Sequence, residues 1–205
     1  MKKILLPLLA LFCVVGSKAQ TAADFERSLM KTQNGFKLIY NSKSQSITLD
    51  IASAKIDPIE DSDFINIDQN PVQFNLINYY ASNTANDAYS KQQAELLDYS
   101  EYELNYEKND LKAKISGIHK EWVTINKELF LLWYYKMPPD NKSILQQVNL
   151  STLCFANVLN ISTPVCKGEV FANKKAILTA LAKTLKMNNF ELNLGTLSKQ
   201  LKTGK

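Results

Sequence analysis

The chain has 205 residues, of which 24 are basic and 20 are acidic, and its formal net charge is +4. Three lysines lie in the first nineteen positions, where no acid occurs, and without them 21 basic residues face 20 acidic ones, a net charge of about +1. A nearly neutral domain lacks the broad basic field that nucleic-acid binding requires, so we expect no nucleic-acid partner.

Residues 1–19 have the pattern of a secretory signal peptide. Two lysines precede the apolar run Ile4–Val15, which is too short to span a bilayer, and Ser17–Ala19 supplies small residues before a cleavage site. We therefore expect a secreted or periplasmic protein, cleaved after position 19, with no transmembrane segment in the mature chain. The alternatives are an uncleaved membrane anchor and a lipoprotein modified at Cys13, which the bulky Phe12 beside it disfavours.

The first part of the mature chain predicts one helix and three strands. Ala22–Thr32 repeats apolar residues at helical spacing and is followed by an Asn-Gly pair, which is typical of a helix end. Phe36–Asn41, Ser46–Ser53 and Pro71–Tyr80 alternate apolar and polar residues and predict strands. The acidic stretch Lys55–Asn70 is predicted to be a solvated loop, because its acids are not spaced as in a calcium-binding EF-hand.

A helix and a long β-hairpin are predicted next. The helix is capped within 82–84 and extends to about residue 98; Tyr99–Tyr106 then alternates, which favours a strand over a continued helix. Glu121–Met137 predicts a hairpin that turns at Asn126–Lys127. Both faces of this hairpin are apolar, so we expect the pair inside a sheet that is covered on both sides.

The last part of the chain predicts two more strands and a closing helix. Ile144–Phe155 and Val158–Val165 are expected to pair antiparallel, and Glu169–Met187 carries an apolar stripe at helical spacing. Phe190–Leu194 is a candidate edge strand, and 194–205 is expected to be a frayed basic tail.

The order of these elements predicts an α+β fold in which helices pack on a mostly antiparallel sheet of about six to seven strands. We expect a single domain over 20–193, after the signal peptide and before a flexible basic tail over 194–205. Cys154 and Cys166 are able to form a disulfide in an oxidising compartment. A symmetric hairpin turning at Ala156–Asn157 would not place them opposite each other, so two buried free thiols are the open alternative.

This element order resembles the PsbP-like and DcrB-like secreted α/β domains. The matching features are Gly35–Leu38 opening the first strand, the helix near 84–98, the strands over Glu121–Met137 and Leu145–Val165, and the closing helix Glu169–Met187. Members of these groups are mostly accessory or assembly proteins. The resemblance therefore implies a non-enzymatic role, but it identifies no partner and transfers no ligand residue; the acidic stretch and the candidate disulfide depart from the family pattern.

No residue pattern in the chain predicts catalysis or a cofactor. The single histidine, His119, is not accompanied by a G-x-S-x-G turn, the two mature cysteines lack C-x-x-C spacing, and the scattered glycines form no phosphate loop. We therefore expect no catalytic residue, no metal and no cofactor.

Eight of the nine tyrosines lie between positions 79 and 135, and this residue type suits both sheet packing and contact surfaces. The tyrosines expected to pack against the sheet are Tyr89, Tyr102 and Tyr134. Those expected at an exposed contact surface are Tyr79, Tyr80, Tyr99, Tyr106 and Tyr135. The sequence thus favours a secreted or periplasmic accessory protein that binds an unknown protein partner. A module that binds a lipid, glycan or peptide between sheet and helix is the alternative, and a hydrolase using His119 is a third.

Overall fold

The computed structural model describes residues 25–53, 55–58, 63–78 and 87–203. These residues form eleven strands and three α-helices, with one π-helical turn. The strands are β1 (Glu26–Thr32), β2 (Gly35–Asn41), β3 (Ser46–Ala52), β4 (Ile56–Pro58), β5 (Phe64–Ile67), β6 (Asn70–Asn78), β7 (Ser116–Ile125), β8 (Glu128–Lys136), β9 (Ile144–Cys154), β10 (Asn157–Cys166) and β11 (Lys186–Asn188). The helices are α1 (Ala88–Asn105), α2 (Phe171–Ala182) and α3 (Leu194–Thr203).

The strands form two antiparallel sheets. The larger has seven strands in the order β4-β5-β6-β10-β9-β8-β7, and the smaller has four in the order β1-β2-β3-β11. The predicted α+β class with a mostly antiparallel sheet is confirmed. No helix within the described residues is long and apolar enough to cross a bilayer.

The molecule is layered around the seven-stranded sheet. One face of this sheet packs against the four-stranded sheet and α2, where isoleucine, leucine and valine side chains form the larger core. Its other face packs against α1 through a second, aromatic-rich core. On the smaller sheet, Leu38 and Tyr40 face the larger core, so Ile39 points to the opposite face. Ile39 is nevertheless fully buried, and α3 contacts β1, which indicates that the outer face of the small sheet is covered as well.

The predicted hairpin is confirmed in both turn and register. Asn126 and Lys127 have φ values of 52° and 72°, and Trp122 lies opposite Leu131 as a two-residue turn requires. The expectation that both strands lie inside the sheet is right for β8, which runs between β7 and β9 and is buried on both faces. It is wrong for β7, which forms the edge of the sheet and is mostly exposed.

Two predictions for the segments before α1 are wrong. The segment predicted as helix Ala22–Thr32 forms β1 from Glu26 onwards, while 22–24 lie outside the described residues. β2 provides an in-register partner along the whole of β1 across a two-residue turn, and this pairing outweighs the helical spacing of three apolar residues. The predicted loop Lys55–Asn70 contains β4 and β5, because its isoleucines alternate into the larger core.

The predicted strand Tyr99–Tyr106 is also wrong, because α1 continues through it and ends in the π-helical turn Tyr106–Asp110. Leu96, Tyr99 and Leu104 recur on one face of the continued helix and are buried against the sheet. The helix is capped by Asp87, whose carboxylate accepts a hydrogen bond of 2.8 Å from the N–H of Ser90; the predicted cap at 82–84 lies outside the described residues.

The strands β9 and β10 are confirmed, with a turn one residue earlier than expected, at Phe155–Ala156. The closing helix is shorter than predicted, and the short strand that follows it is β11 rather than Phe190–Leu194. Within the segment 194–205, predicted as a frayed tail, Leu194–Thr203 form helix α3, and 204–205 lie outside the described residues. The side chain of Asn193 accepts a hydrogen bond of 2.9 Å from the N–H of Thr196, which caps this helix.

Candidate functional site

The structure distributes the tyrosines differently from the sequence prediction. Of the five expected at a contact surface, Tyr99 and Tyr135 are buried, Tyr106 is half-buried, and Tyr79 and Tyr80 lie outside the described residues. The expected packing residues Tyr89 and Tyr102 are instead exposed, and Tyr134 is half-buried. The helical course of α1 explains why Tyr99 is buried and Tyr102 is exposed, because a strand and a helix direct the same side chains to different faces.

The buried tyrosines belong to an aromatic cluster between α1 and β8. The rings of Tyr99 and Trp133 meet edge to face at 6.4 Å, and those of Trp133 and Tyr135 stack at 6.1 Å. Trp133 Nε1 donates a hydrogen bond of 2.9 Å to Ser151 Oγ, which in turn donates one of 2.8 Å to Asn160 Oδ1. These side chains occupy the space between helix and sheet in which the small-ligand hypothesis placed its pocket.

Two carboxyl groups lie at the C-terminal end of α1 above this cluster. The hydroxyl of Tyr135 donates a hydrogen bond of 3.1 Å to Glu107 Oε1. Burial, together with the charge of Glu107, raises the pKa of Glu103 to about 7. Burial also raises the pKa of Glu107, although the hydrogen bond from Tyr135 works against it. Both carboxyl groups, at the place where α1 meets the sheet, therefore retain a proton to a higher pH than ordinary glutamates do.

His119 lies on the exposed edge strand β7, and its ring stacks on Tyr134 at 4.9 Å. Tyr134 in turn meets the ring of Phe171, at the start of α2, at 4.6 Å. The hydrolase hypothesis requires a hydrogen bond between His119 and a serine or a carboxylate. No such bond occurs within the described residues. The ring contacts assign His119 a packing role instead.

The candidate disulfide does not form in this fold. Cys154 and Cys166 are both free thiols and lie at opposite ends of β10: Cys154 is opposite Asn157 and Cys166 is opposite Ile144. A strand rises about 3.3 Å per residue, so the two cysteines are separated by roughly 30 Å, well beyond disulfide distance. Burial raises the pKa of Cys154, as expected for an inert thiol.

Cys166 lies beside a polar cluster at the start of α2. Lys174 is 2% exposed, and its Nζ donates hydrogen bonds of 2.7 Å to both Asn70 Oδ1 and Glu169 Oε1. The other oxygen of Glu169 accepts a hydrogen bond of 2.6 Å from the N–H of Cys166. The cluster therefore ties α2 to the end of β10 and the start of β6. No group of three or more His, Cys, Asp or Glu side chains suited to a metal ion occurs within the described ranges.

A groove surrounds the turn between β1 and β2, and we name it the hairpin groove. One concavity of this groove, of 470 Å³, lies between the turn and α3. The side chains and backbone that line it are Thr32, Gln33, Asn34, Phe36, Lys37, Asp50, Ile51, Ala52, Leu197, Gln200 and Leu201. Further concavities of 340 and 760 Å³ adjoin the same turn and share Thr32 and Gln33 with the first.

The groove combines an apolar floor with a polar rim. Leu197 and Leu201 of α3 are half-buried and provide the apolar part, whereas the ring of Phe36 packs against the larger core. Lys37 and Asp50 form an ion pair across β2 and β3, and Gln33 is exposed at the turn. Sequence reasoning missed this site because it assigned the turn to a helix end. The spacing of Leu194, Leu197 and Leu201 was the available signal for an amphipathic helix.

Comparison with known proteins finds similar solved structures. No family model matches the sequence, and no curated protein matches it significantly. The solution structure of PsbP (CyanoP) from the cyanobacterium Synechocystis sp. PCC 6803 is similar, with 10% identity, a TM-score of 0.46, and coverage of 81% of this chain and 94% of that chain. At this identity and TM-score, the likeness transfers no residue role, partner or activity to this chain.

Proposed function

We propose that the protein is an exported, non-enzymatic accessory protein that binds another protein at the hairpin groove. The observation that carries the proposal is a group of three adjoining concavities around one exposed turn. Protein-binding surfaces typically have an apolar centre and a polar rim, and the hairpin groove has this composition. Its open shape suits a partner's surface segment better than a small molecule, which is usually enclosed on most sides.

Export is the second part of the proposal, and it is supported by the amino-terminal sequence pattern described above. The residues that carry the pattern lie outside those the structure describes. Sequencing the amino terminus of the protein recovered from the exported fraction tests this part directly. A new terminus at Gln20 supports it, whereas an intact Met1 in a chain that stays in the cytoplasm contradicts it.

Site-specific photo-crosslinking tests the binding part. A photoreactive side chain is introduced at Gln33 or Gln200, both exposed at the groove, and at the exposed Lys142 in the β8–β9 connection as a matched control. Illumination of the producing cells is expected to give the same discrete heteromeric adduct from both groove positions and none from Lys142. Adducts of equal yield from all three positions, or from none, would refute binding at the groove.

A further inference from the structure

Strand β1 forms one edge of the four-stranded sheet. All seven of its residues pair in register with β2, from Glu26 opposite Asn41 to Thr32 opposite Gly35. No strand within the described residues pairs with its other side, and Ser28–Thr32 make no further backbone hydrogen bond there. Because alternate N–H and C=O groups of an edge strand point away from the sheet, β1 presents a row of backbone donors and acceptors that another strand could pair with.

The other sheet edges in the described residues are less suited to this pairing. β4 and β11 have three residues each. β7 is longer, but its register is interrupted between Ser116 and His119, and ion pairs tie it to both neighbouring helices. Lys120 pairs with Glu101 of α1, and Glu121 pairs with Lys175 of α2. Short strands, irregular pairing and charged side chains are the usual means of blocking an edge. β1 is neither short nor irregularly paired, although it carries charged side chains.

A groove suitable for side chains adjoins the open edge of β1. The 340 Å³ concavity lies between β1 and α3 and is lined by Met30, Lys31, Thr32, Gln33, Ser198 and Leu201. On the opposite face of the small sheet, the half-buried Phe25 and Leu29 lie at the margin of the larger core. Since alternate side chains of a strand point to opposite faces, a strand added beside β1 would direct one set towards α3 and the other towards this margin.

Lys31 supplies a positive charge near the C-terminal end of this edge, whereas Glu26 is exposed at its N-terminal end. Lys31 is exposed at the C-terminal end of β1 and has no ion-pair partner in the described residues. Acidic side chains in the added strand would therefore be favoured beside Lys31.

We propose that the partner binds by adding an extended segment to the open edge of β1, with apolar side chains directed into the groove beside α3 and acidic side chains next to Lys31. The proposal rests on the proposed function, because it specifies how the protein partner is recognised. In such strand addition, backbone hydrogen bonds provide affinity and the flanking grooves provide selectivity for alternate side chains. The competing explanation is a solvated edge on which Arg27 and Lys31 merely prevent self-association.

Synthetic peptides test the mode of binding. The probe is a fluorescent, terminally blocked seven-residue peptide that alternates valine and glutamate, and its binding to the mature protein is followed by fluorescence anisotropy. The first comparison peptide has lysine in place of glutamate; in the second, alternate backbone amides are N-methylated along one edge. Loss of those donors should abolish binding, whereas Lys31→Glu should weaken binding of the glutamate peptide about fivefold and improve binding of the lysine peptide. Lys43→Glu, at the exposed β2–β3 turn, is the matched control and should leave both affinities unchanged.

The outcomes separate the two proposals. Binding of the glutamate peptide that is lost on N-methylation and weakened by Lys31→Glu but not by Lys43→Glu supports strand addition. Equal binding of the N-methylated peptide, or no binding at all, overturns it. If no peptide binds while the photoreactive side chain at Gln33 still gives a specific adduct, strand addition is refuted and the proposed function stands. If both experiments fail, both proposals are wrong.

Discussion

Replacing Glu103 with glutamine should make the protein more stable at alkaline pH. Burial and the charge of Glu107 raise the pKa of Glu103 in the folded protein to about 7, from an ordinary value of 4.5. Between these two values the unfolded chain ionises this carboxyl while the folded chain keeps it protonated. The stabilising contribution of the protonated group is therefore fully present below pH 4.5 and is lost as the pH rises through 7. Above that pH the free energy of unfolding no longer changes because of this group.

The size of the effect follows from the two pKa values. Their separation corresponds to at most about 3 kcal/mol of folding free energy. Glu103 is half-buried rather than fully enclosed, so solvent screening reduces our expectation to about 2 kcal/mol. Glutamine has nearly the same shape and does not ionise. The variant should therefore exceed the wild type by about 2 kcal/mol at pH 8 and match it at pH 4.5.

Urea unfolding of the mature protein at pH 4.5 and pH 8 measures this difference. Glu101→Gln is the control, because Glu101 lies on the same helix, is exposed and pairs with Lys120. It should not gain stability at the higher pH. Since the pKa of Glu107 is also raised, the comparison is made between variant and wild type at each pH rather than along the wild-type curve. A Glu103→Gln effect of the same size at both pH values would refute the reasoning.

Two further substitutions test the packing of the fold. Trp133→Ala should cost about 3–5 kcal/mol in urea unfolding, because the ring is 2% exposed and its N–H is bonded to Ser151; a loss below about 1 kcal/mol would show that the ring is not in a core. Gly35→Ala should cost more than Gly168→Ala, since both residues have positive φ but only the former would place a Cβ 2.0 Å from the Ile51 carbonyl oxygen. Equal losses in the same assay would show that the close approach to Ile51 is relieved at no cost.

The central hairpin could be predicted in detail because the information for it is local. A two-residue turn that tolerates positive φ fixes the register of both strands, and the structure has that register. The position of the hairpin in the sheet depends on which distant strand lies beside it. β8 acquires β9 as a neighbour, whereas β7 acquires none in the described residues. The prediction drawn from apolar residues on both faces was correct for β8. The same pattern could not show which of the two strands lies at the edge of the sheet.

The helix and strand errors have a common physical cause. In Ala22–Thr32 and Tyr99–Tyr106 the apolar residues are few and their spacing fits either period, so local pattern does not decide between them. Tertiary partners decide instead: β2 extends along β1, and the aromatic cluster on β8 receives the inner face of α1. Because the second segment is helical, Tyr99 enters the core and Tyr102 leaves it. The exchanged positions of Tyr99 and Tyr102 follow directly from this error, whereas the burial of Tyr135 on β8 does not.

The candidate site could not be predicted because its two sides are distant in sequence. The turn residues near Gln33 and the leucines of α3 are separated by more than 160 positions, and no motif marks either. The segment 188–193 brings them together, since Asn41 exchanges two hydrogen bonds of 2.9 Å with the backbone of Leu192. This contact positions α3 on the small sheet beside β1. A side-chain amide that bonds a distant backbone in this way leaves no periodic signal in the sequence.

The distribution of buried charge separates the structural part of the molecule from the proposed binding part. Lys174 is buried and Glu103 is half-buried where a helix meets the seven-stranded sheet, so replacing either changes a group within that contact and should change stability. Lys31 lies at the open edge of the small sheet, is exposed and makes no ion pair in the described residues. A substitution there removes no buried contact, and its effect on stability should stay within about 0.5 kcal/mol. Binding and stability are thus separable in this fold, and a loss of binding in Lys31→Glu with unchanged urea unfolding would assign the residue to recognition.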